Sequence, residues 1–130
     1  MSREILQPPG WARPRGYANG VAATGRLVFV AGQIGWDAEQ RFASDDFAAQ
    51  VRQALANVVA VLACGGAKPE HLVRMTWYVT SSDEYNAALA EVGAAWRELI
   101  GRNFPAMSVV VVAGLLEPRA KVEIEATAVV

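Results

Sequence analysis

Hydrophobic side chains recur at helical spacing in two segments of the chain. The first segment covers residues 44–63, and its apolar stripe consists of Phe47, Val51, Leu55, Val58, Val59 and Leu62. Ser44 favours a helix start because its hydroxyl can cap the first turn, and Asp45 and Asp46 add negative charge at the positive end of the helix dipole. Gly65 and Gly66 favour the end of this helix.

The second helical segment begins at Ser81, which forms a capping-box pair with Glu84. Its apolar stripe consists of Tyr85, Leu89, Val92, Trp96 and Leu99. Gly101 follows directly and favours an end to the helix. The pattern therefore predicts two amphipathic helices, each with one face for a core.

Other segments have the pattern of strands. Residues 17–22 and 27–31 are short apolar runs joined by a glycine-containing connection, which predicts a hairpin. Residues 73–80 alternate apolar and polar side chains, and so do residues 121–129. The run at 109–113 is apolar on both faces, which is typical of a strand buried on both sides.

The order of elements predicts an α+β domain that spans residues 1–130. Residues 1–16 contain three prolines and two glycines, which predicts an irregular N-terminal lead-in. Strand–helix–strand connections place both helices on one face of a mixed, five- to six-stranded sheet. Two helices cannot also cover the second face, yet the apolar run at 109–113 predicts that it is covered. Contact with other copies of the chain is the simplest explanation.

Composition limits the class of protein. The chain has 130 residues, 53% of them hydrophobic and 19% charged, with a formal net charge of -1. Such a chain differs from disordered proteins and lacks the concentrated positive charge of a general nucleic-acid binder. The polar start has no apolar signal core, and no uninterrupted apolar stretch of 18 residues predicts a membrane span. We therefore expect a cytoplasmic protein.

Several kinds of catalytic site are not predicted. One cysteine and one histidine exclude an internal disulfide and the usual zinc sites, so we expect no metal. No nucleotide-binding glycine motif is present. His71 lies in a polar turn without a nucleophile elbow, which favours an ordinary surface residue. Cys64 ends the first apolar helix and is better explained as a packed side chain than as a nucleophile.

A few polar residues at the ends of elements remain as candidates. Tyr17 follows the lead-in, and Gln33 lies between the two glycines of the segment Gly32-Gln33-Ile34-Gly35. Glu123 and Glu125 share one face of the last strand, with a spacing of about 7 Å. Such a pair could hold a water molecule or polarise a substrate nitrogen. The alternative is a solvated face, or salt bridges across an interface.

Five segments, in order and spacing, resemble the Rid family of reactive intermediate deaminases, also called YjgF-like proteins. They are GYANGV at 16–21, VFVAGQIG at 28–35, QALANV at 53–58, FPA at 104–106 and VEIEATA at 122–128. The resemblance extends from Tyr17 to Val129. It implies a chorismate-mutase-like fold and a homotrimer with small-molecule clefts between subunits. It also implies hydrolysis of enamines and imines, such as 2-iminopropanoate, to a 2-keto acid and ammonia without a cofactor.

The chain departs from the family pattern at the substrate clamp. Active members carry an arginine after Pro-Ala, which would hold the substrate carboxylate; here that position is Met107. The serine that commonly precedes Gly-Gln is replaced by Ala31, and a frequent cysteine position is Val109. Arg119, in the connection before the last strand, is a candidate replacement cation.

The positions that still match are Tyr17, Gly32, Gln33 and Glu123. The first hypothesis is a divergent deaminase with a larger, more apolar substrate. In it, Tyr17 orients the ligand, Gln33 or backbone groups polarise it, and Glu123 activates water or transfers a proton. Ala31, Gly32, Gln33, Met107 and Val109 would form the substrate-binding surface.

The second hypothesis is a trimer that binds a small metabolite or a partner without catalysis, because loss of the arginine and the serine is compatible with loss of turnover. Cleavage of nucleic acid is a third possibility, and the near-neutral net charge argues against it.

Overall fold

A computed structural model of the chain describes residues 2–130, which form six strands, three α-helices and one short 3-10 helix, Pro69–His71. The strands are β1 (Ser2–Leu6), β2 (Gly20–Thr24), β3 (Leu27–Ile34), β4 (Leu72–Val79), β5 (Ala106–Val111) and β6 (Val122–Val129). The helices are α1 (Phe47–Cys64), α2 (Ser82–Ala87) and α3 (Leu89–Leu99). The α+β class, the six strands and the two main helices, α1 and α3, agree with the sequence prediction.

Helix α1 forms on the predicted apolar stripe, but it begins later than predicted. Asp46 caps the helix, and its side chain accepts a hydrogen bond of 3.0 Å from the Ala49 N–H. The Ser44 hydroxyl instead accepts from the Asp46 N–H at 2.9 Å, which supports the capping residue rather than the helix. Prediction of Ser44 as the cap was therefore wrong by two residues. At the other end Gly66 has φ +73°, the left-handed conformation that glycine permits.

Helix α1 has the length and mean hydropathy, 1.4, of a membrane span. Eight of its residues are nevertheless buried in the described chain, and it packs against β3, β6 and α3. Its apolar character is therefore explained by its place in the core.

The second predicted helix is divided into α2 and α3. Ser81 caps α2 as predicted, because its hydroxyl accepts a hydrogen bond of 3.1 Å from the Glu84 N–H. The helical path breaks at Ala88, with φ -106° and ψ 12°. Val92 and Trp96 of α3 then face the core, and Gly101 ends the segment with φ +76°.

Four strands form the central sheet in the order β3-β6-β4-β5. Only β4 and β5 are parallel, while β6 is antiparallel to both of its neighbours, so the sheet is mixed. One face packs against the helices; its buried side chains include Met75, Trp77 and Ile124. These residues continue the alternation predicted for residues 73–80 and 121–129.

The N-terminal region differs from the prediction. Residues 2–6 form β1 rather than an irregular lead-in, and β1 pairs with β2 antiparallel, from Ser2 opposite Thr24 to Leu6 opposite Gly20. The predicted hairpin between β2 and β3 is also wrong, because β3 pairs with β6. Both errors have the same cause. The partner of β2 is β1 and the partner of β3 is β6, and the local sequence pattern does not reveal which strands pair.

The second face of the sheet carries large exposed apolar residues. Leu27 is 55% exposed and Phe29 is 71% exposed. On the edge strand β5, Val110 of this face is 41% exposed, and Val111, which shares the helix face with Val109, is 59% exposed. A single chain therefore does not bury the valine run on both sides, and coverage by another copy remains a prediction.

Candidate active site

A cavity of about 770 Å³ lies beside the first half of β5 and contains three of the predicted site residues. Met107 and Val109 line it from the strand, and Tyr17 lines it from the N-terminal segment. Met107 is paired with Met75, and Val109 with Trp77, in the parallel β4–β5 ladder. Cross-strand partners share a face, so Met107 and Val109 lie on the helix side of the sheet.

Tyr17 reaches this cavity because the neighbouring residue is attached to the start of β5. The Ala18 N–H donates a hydrogen bond of 2.9 Å to the Pro105 carbonyl, and Ala18 forms an isolated parallel bridge with Ala106. Ala18 is 5% exposed, whereas Tyr17 is 40% exposed. The backbone is thus fixed while the tyrosine side chain stays accessible.

Aromatic side chains form the inner wall of the cavity. Trp96 stacks on Phe104 with ring centroids 6.2 Å apart and an interplanar angle of 7°. Trp77 contacts Trp96 at 6.2 Å and meets Tyr85 edge-on at 6.4 Å. Partial burial raises the pKa of Tyr85, so this hydroxyl stays protonated at neutral pH. The part of this wall that faces the cavity, mainly Phe104, is uncharged and suits an apolar ligand.

A second group of predicted residues lies at an irregularity of β3. The pairing of β3 with β6 shifts between Val30 and Gln33, so Ala31 and Gly32 form a bulge opposite Glu125, beside the pairing of Ile34 with Glu123. An added Cβ on Gly32 would lie 2.7 Å from Cδ of Glu123, closer than real side chains approach. Glycine at position 32 therefore leaves room for the carboxyl group. The Gln33 side chain donates to the Ala31 carbonyl at 3.0 Å.

The two candidate glutamates have different surroundings. Glu125 accepts a hydrogen bond of 2.7 Å from the Tyr78 hydroxyl, and this bond is the main cause that raises the pKa of Tyr78. Glu123 is half-buried and forms no side-chain hydrogen bond or ion pair within residues 2–130. The carboxyl group of Glu123 is thus available for a ligand or a water molecule.

The two groups of residues do not share a cavity in one chain. Glu123 is paired with Tyr78 on the face opposite the helices, whereas Met107 is paired with Met75 on the helix face. Neither Gln33 nor Glu123 lines the cavity that contains Tyr17 and Met107.

Four arginines that the sequence reasoning missed lie around the same cavity: Arg13, Arg15, Arg97 and Arg102. All four are exposed. Arg13 and Arg15 belong to the segment dismissed as a lead-in, and the other two lie at and beyond the end of α3. The sequence signal that could have found them is the position of Arg13 and Arg15 just before Tyr17.

Comparison with known proteins identifies the family. Residues 12–130 match the family model described as Endoribonuclease L-PSP. The chain belongs to the Rid, or YjgF-like, family. It is 35% identical over 129 residues to the 2-iminobutanoate/2-iminopropanoate deaminase of Salmonella typhimurium. The aligned region covers 99% of this chain and 98% of the relative.

Solved structures agree with this family. The Rid-family protein YyfB of Yersinia pestis, described as of unknown function, has a TM-score of 0.87 and 33% identity over the full length of both chains. The YjgF gene product of Escherichia coli has a TM-score of 0.68 and 33% identity over 87% of each chain. The Rid resemblance and the fold predicted from it are therefore confirmed.

Arg119, the predicted replacement cation of this Rid-family chain, lies away from the Met107 cavity. Its guanidinium donates to Asp45 Oδ1 at 3.1 Å and 2.8 Å and lies 5.2 Å from the ring centroid of Phe42. The Arg119 carbonyl accepts from the buried Gln50 side chain at 3.1 Å, which attaches this segment to α1. A clamp formed by Arg119 would require the ion pair with Asp45 to break.

Proposed function

We propose that the chain is an imine or enamine deaminase that acts at a cleft between subunits of a homotrimer. The observation that carries the proposal is the unpaired Glu123 carboxyl group, which Gly32 accommodates at the β3 bulge. The Salmonella relative, named as a deaminase of small 2-imino acids, supports this reaction class. The bacterial relatives and the core position of α1 support a cytoplasmic location.

Glu123 is placed to act on water. In the proposed reaction Glu123 accepts a proton as a water oxygen attacks the imine carbon, which forms a tetrahedral intermediate with oxygen and nitrogen on one carbon. That proton is delivered to nitrogen, the hydroxyl proton of the intermediate is then transferred to nitrogen as well, and the C–N bond breaks as the C=O bond forms and ammonia leaves. Water and imine are consumed, and ketone and ammonia are produced, so no oxidant or cofactor is needed.

Tyr17 and Gln33 would position the substrate. The accessible Tyr17 hydroxyl orients the ligand from the side of the Met107 cavity. Gln33, or backbone groups of Ala31 and Gly32, polarise it from the side of Glu123. Met107 supplies no charge, so we expect weak or absent activity on 2-iminopropanoate, whose carboxylate needs a cation.

The proposed homotrimer follows from the opposite locations of the two residue groups. Glu123 and Met107 lie on opposite faces of one sheet, so a common cleft requires Glu123 from one copy and the Met107 cavity from another. The exposed Leu27, Phe29 and Val110 supply apolar surface for such contacts. Light scattering would measure the oligomeric state directly.

Ammonia release by the wild-type protein and by Glu123→Gln tests the activity, with a panel of freshly generated 2-imino acids of increasing size. We expect Glu123→Gln to lower turnover of every accepted substrate by about 10²-fold or more, because the amide cannot accept the proton. Glu125→Gln is the matched control, since a glutamine oxygen can still accept from Tyr78. Equal turnover by wild type and Glu123→Gln would refute the assigned role.

The alternative is a metabolite-binding trimer without catalysis, and Met107 and Ala31 at the clamp and serine positions favour it. Calorimetric binding of a ligand at the cleft, with no ammonia from any imine in the panel, would support this alternative.

A further inference from the structure

The cavity that contains Met107 adjoins a second cavity of about 1210 Å³. Both are lined by Arg13, Arg15, Tyr17, Arg102 and Phe104, so they form one continuous recess beneath the N-terminal segment. The Met107 cavity alone has the volume of a typical small-molecule site. It is much larger than a three-carbon imino acid requires.

Positive charge is concentrated around this recess. We call Arg13, Arg15, Arg97 and Arg102 the arginine rim; none of them forms a hydrogen bond or an ion pair with the residues that the structure describes. No aspartate or glutamate lines either cavity. Four like charges without counter-ions around one recess favour binding of an anion, even though the whole chain has a net charge of -1.

The Arg97 side chain lies beside a glycine of the same helix. Gly93 lies one turn earlier on α3 and also lines the cavity. A Cβ added at Gly93 would lie 3.4 Å from Nη1 of Arg97, so the guanidinium lies over the bare helix surface at this position. The side chain of Arg97 is thus directed along the edge of the recess.

The floor of the recess is aromatic and contains unpaired donors. Trp77 and Trp96 line it and are 2% and 7% exposed. Their indole Nε1–H groups are buried and have no hydrogen-bond acceptor within residues 2–130. Because both donors are inaccessible, the rings contribute apolar rather than polar contacts to the recess.

We infer that the arginine rim replaces the missing clamp at Met107 and binds the carboxylate of an aromatic 2-imino acid, whose ring lies on the Trp77–Trp96–Phe104 wall. The inference rests on the proposed deaminase function and names its substrate class. Guanidinium groups recognise carboxylates by paired hydrogen bonds, and aromatic rings favour the tryptophan wall. An apolar residue at position 107 is then an advantage, because it extends the surface for the ring.

Calorimetric titration with phenylpyruvate, a stable aromatic 2-oxo acid, tests this inference. Pyruvate and the neutral ketone phenylacetone are the comparison ligands. Arg15 and Arg102 line both cavities, so the test variant is Arg15→Gln with Arg102→Gln. Arg41→Gln is the matched control, because Arg41 is exposed and pairs with Glu39 outside the recess.

Phenylpyruvate is expected to bind the wild type and the Arg41→Gln variant equally, and at least about tenfold more weakly to the double variant. Pyruvate should bind more weakly than phenylpyruvate, and phenylacetone should be insensitive to the double substitution. Undetectable binding of phenylpyruvate to the wild type, or equal binding by the double variant, would overturn the inference. Equal losses for phenylacetone would also do so, since they would show damage to the cavity rather than loss of a clamp.

Glu123→Gln separates this inference from the proposed function. The variant should bind phenylpyruvate as tightly as the wild type while it loses turnover of the aromatic imine. If the wild type binds phenylpyruvate through the arginines but turns over no imine, the inferred carboxylate site is supported and the proposed deaminase function is refuted. If the wild type and the double variant turn over aromatic imines equally fast, the proposed deaminase function is supported and the inferred carboxylate site is refuted.

Discussion

The bulge of β3 and the cavity beside β5 carry the two halves of the candidate site, and they have kept the family pattern to different extents. At the bulge, Gly32, Gln33 and Glu123 match the Rid pattern, and Ala31, in place of the usual serine, is the one departure. At the cavity, Met107 and Val109 replace the usual arginine and cysteine, and arginines from other elements surround the space. The half that would act on water is preserved, whereas the half that would hold the substrate has been rebuilt.

This difference has a physical basis. Activation of water requires one carboxyl group at one place, and the β3–β6 register with glycine at position 32 sets that place within narrow limits. Recognition of an anion tolerates more solutions, because any guanidinium that reaches the carboxylate can serve. A lost clamp can therefore be replaced from another element, but a displaced general base cannot.

The largest expected effect comes from the bulge. Gly32→Ala places a methyl group against the Glu123 carboxyl group and must displace it. We expect a loss of about 10²-fold in turnover of every accepted imine, since a small displacement of a catalytic group has effects of this size. Kinetics of ammonia release on the purified variant would measure it. Gly114→Ala is the control, because a Cβ there would have no atom within 4 Å; full activity of Gly32→Ala would contradict the assigned geometry.

A smaller effect is expected at the cavity. Met107→Arg restores a guanidinium at the family position and should raise turnover of 2-iminopropanoate by about tenfold or more. The same change should lower turnover of aromatic imines, because it removes apolar surface from the cavity. Met107→Lys is the matched control: it adds the same charge without a planar fork and should give a weaker rescue. Fast turnover of 2-iminopropanoate by the wild type would show that Met107 does not limit this substrate.

The comparison of the two halves also shows what could be predicted from the sequence. Glu123 and Gln33 are candidates because short family segments contain them. Alternation along β4 and β6 correctly identified the buried faces of those two strands. The different surroundings of Glu123 and Glu125 were not predictable, because they depend on the hydroxyl group of Tyr78, which lies 47 residues before Glu125.

The arginine rim was missed for a related reason. Arg13 and Arg97 are far apart along the chain, and they meet only because the Ala18–Pro105 hydrogen bond brings the N-terminal segment beside β5 and the end of α3. Pairing of β1 with β2 likewise depends on residues whose own pattern favours no regular element. Local periodicity predicts helices and buried strands well, but it gives no information on contacts between segments that are far apart in the sequence.

The smallest expected effect separates the two glutamates through the pH dependence of stability. The hydrogen bond to Glu125 raises the pKa of Tyr78, and weaker contributions come from burial and from the charges of Glu125 and Glu123. A folded-state pKa above the unfolded value, about 10 for tyrosine, gives stability that is present below pH 10 and lost as pH rises through the folded pKa.

Tyr78→Phe should therefore lower Tm by no more than about 4 °C at pH 7. The difference from wild type should shrink above pH 10, where the wild type loses the same contribution. Thermal melts monitored by circular dichroism between pH 7 and 11 would measure both. Leu116→Tyr is a suitable comparison, since it adds a phenol at a site that is 100% exposed. A Tm difference between Tyr78→Phe and wild type that stays constant through pH 11 would show that the Tyr78–Glu125 hydrogen bond does not contribute, and Glu125 would then be as free to bind a ligand as Glu123.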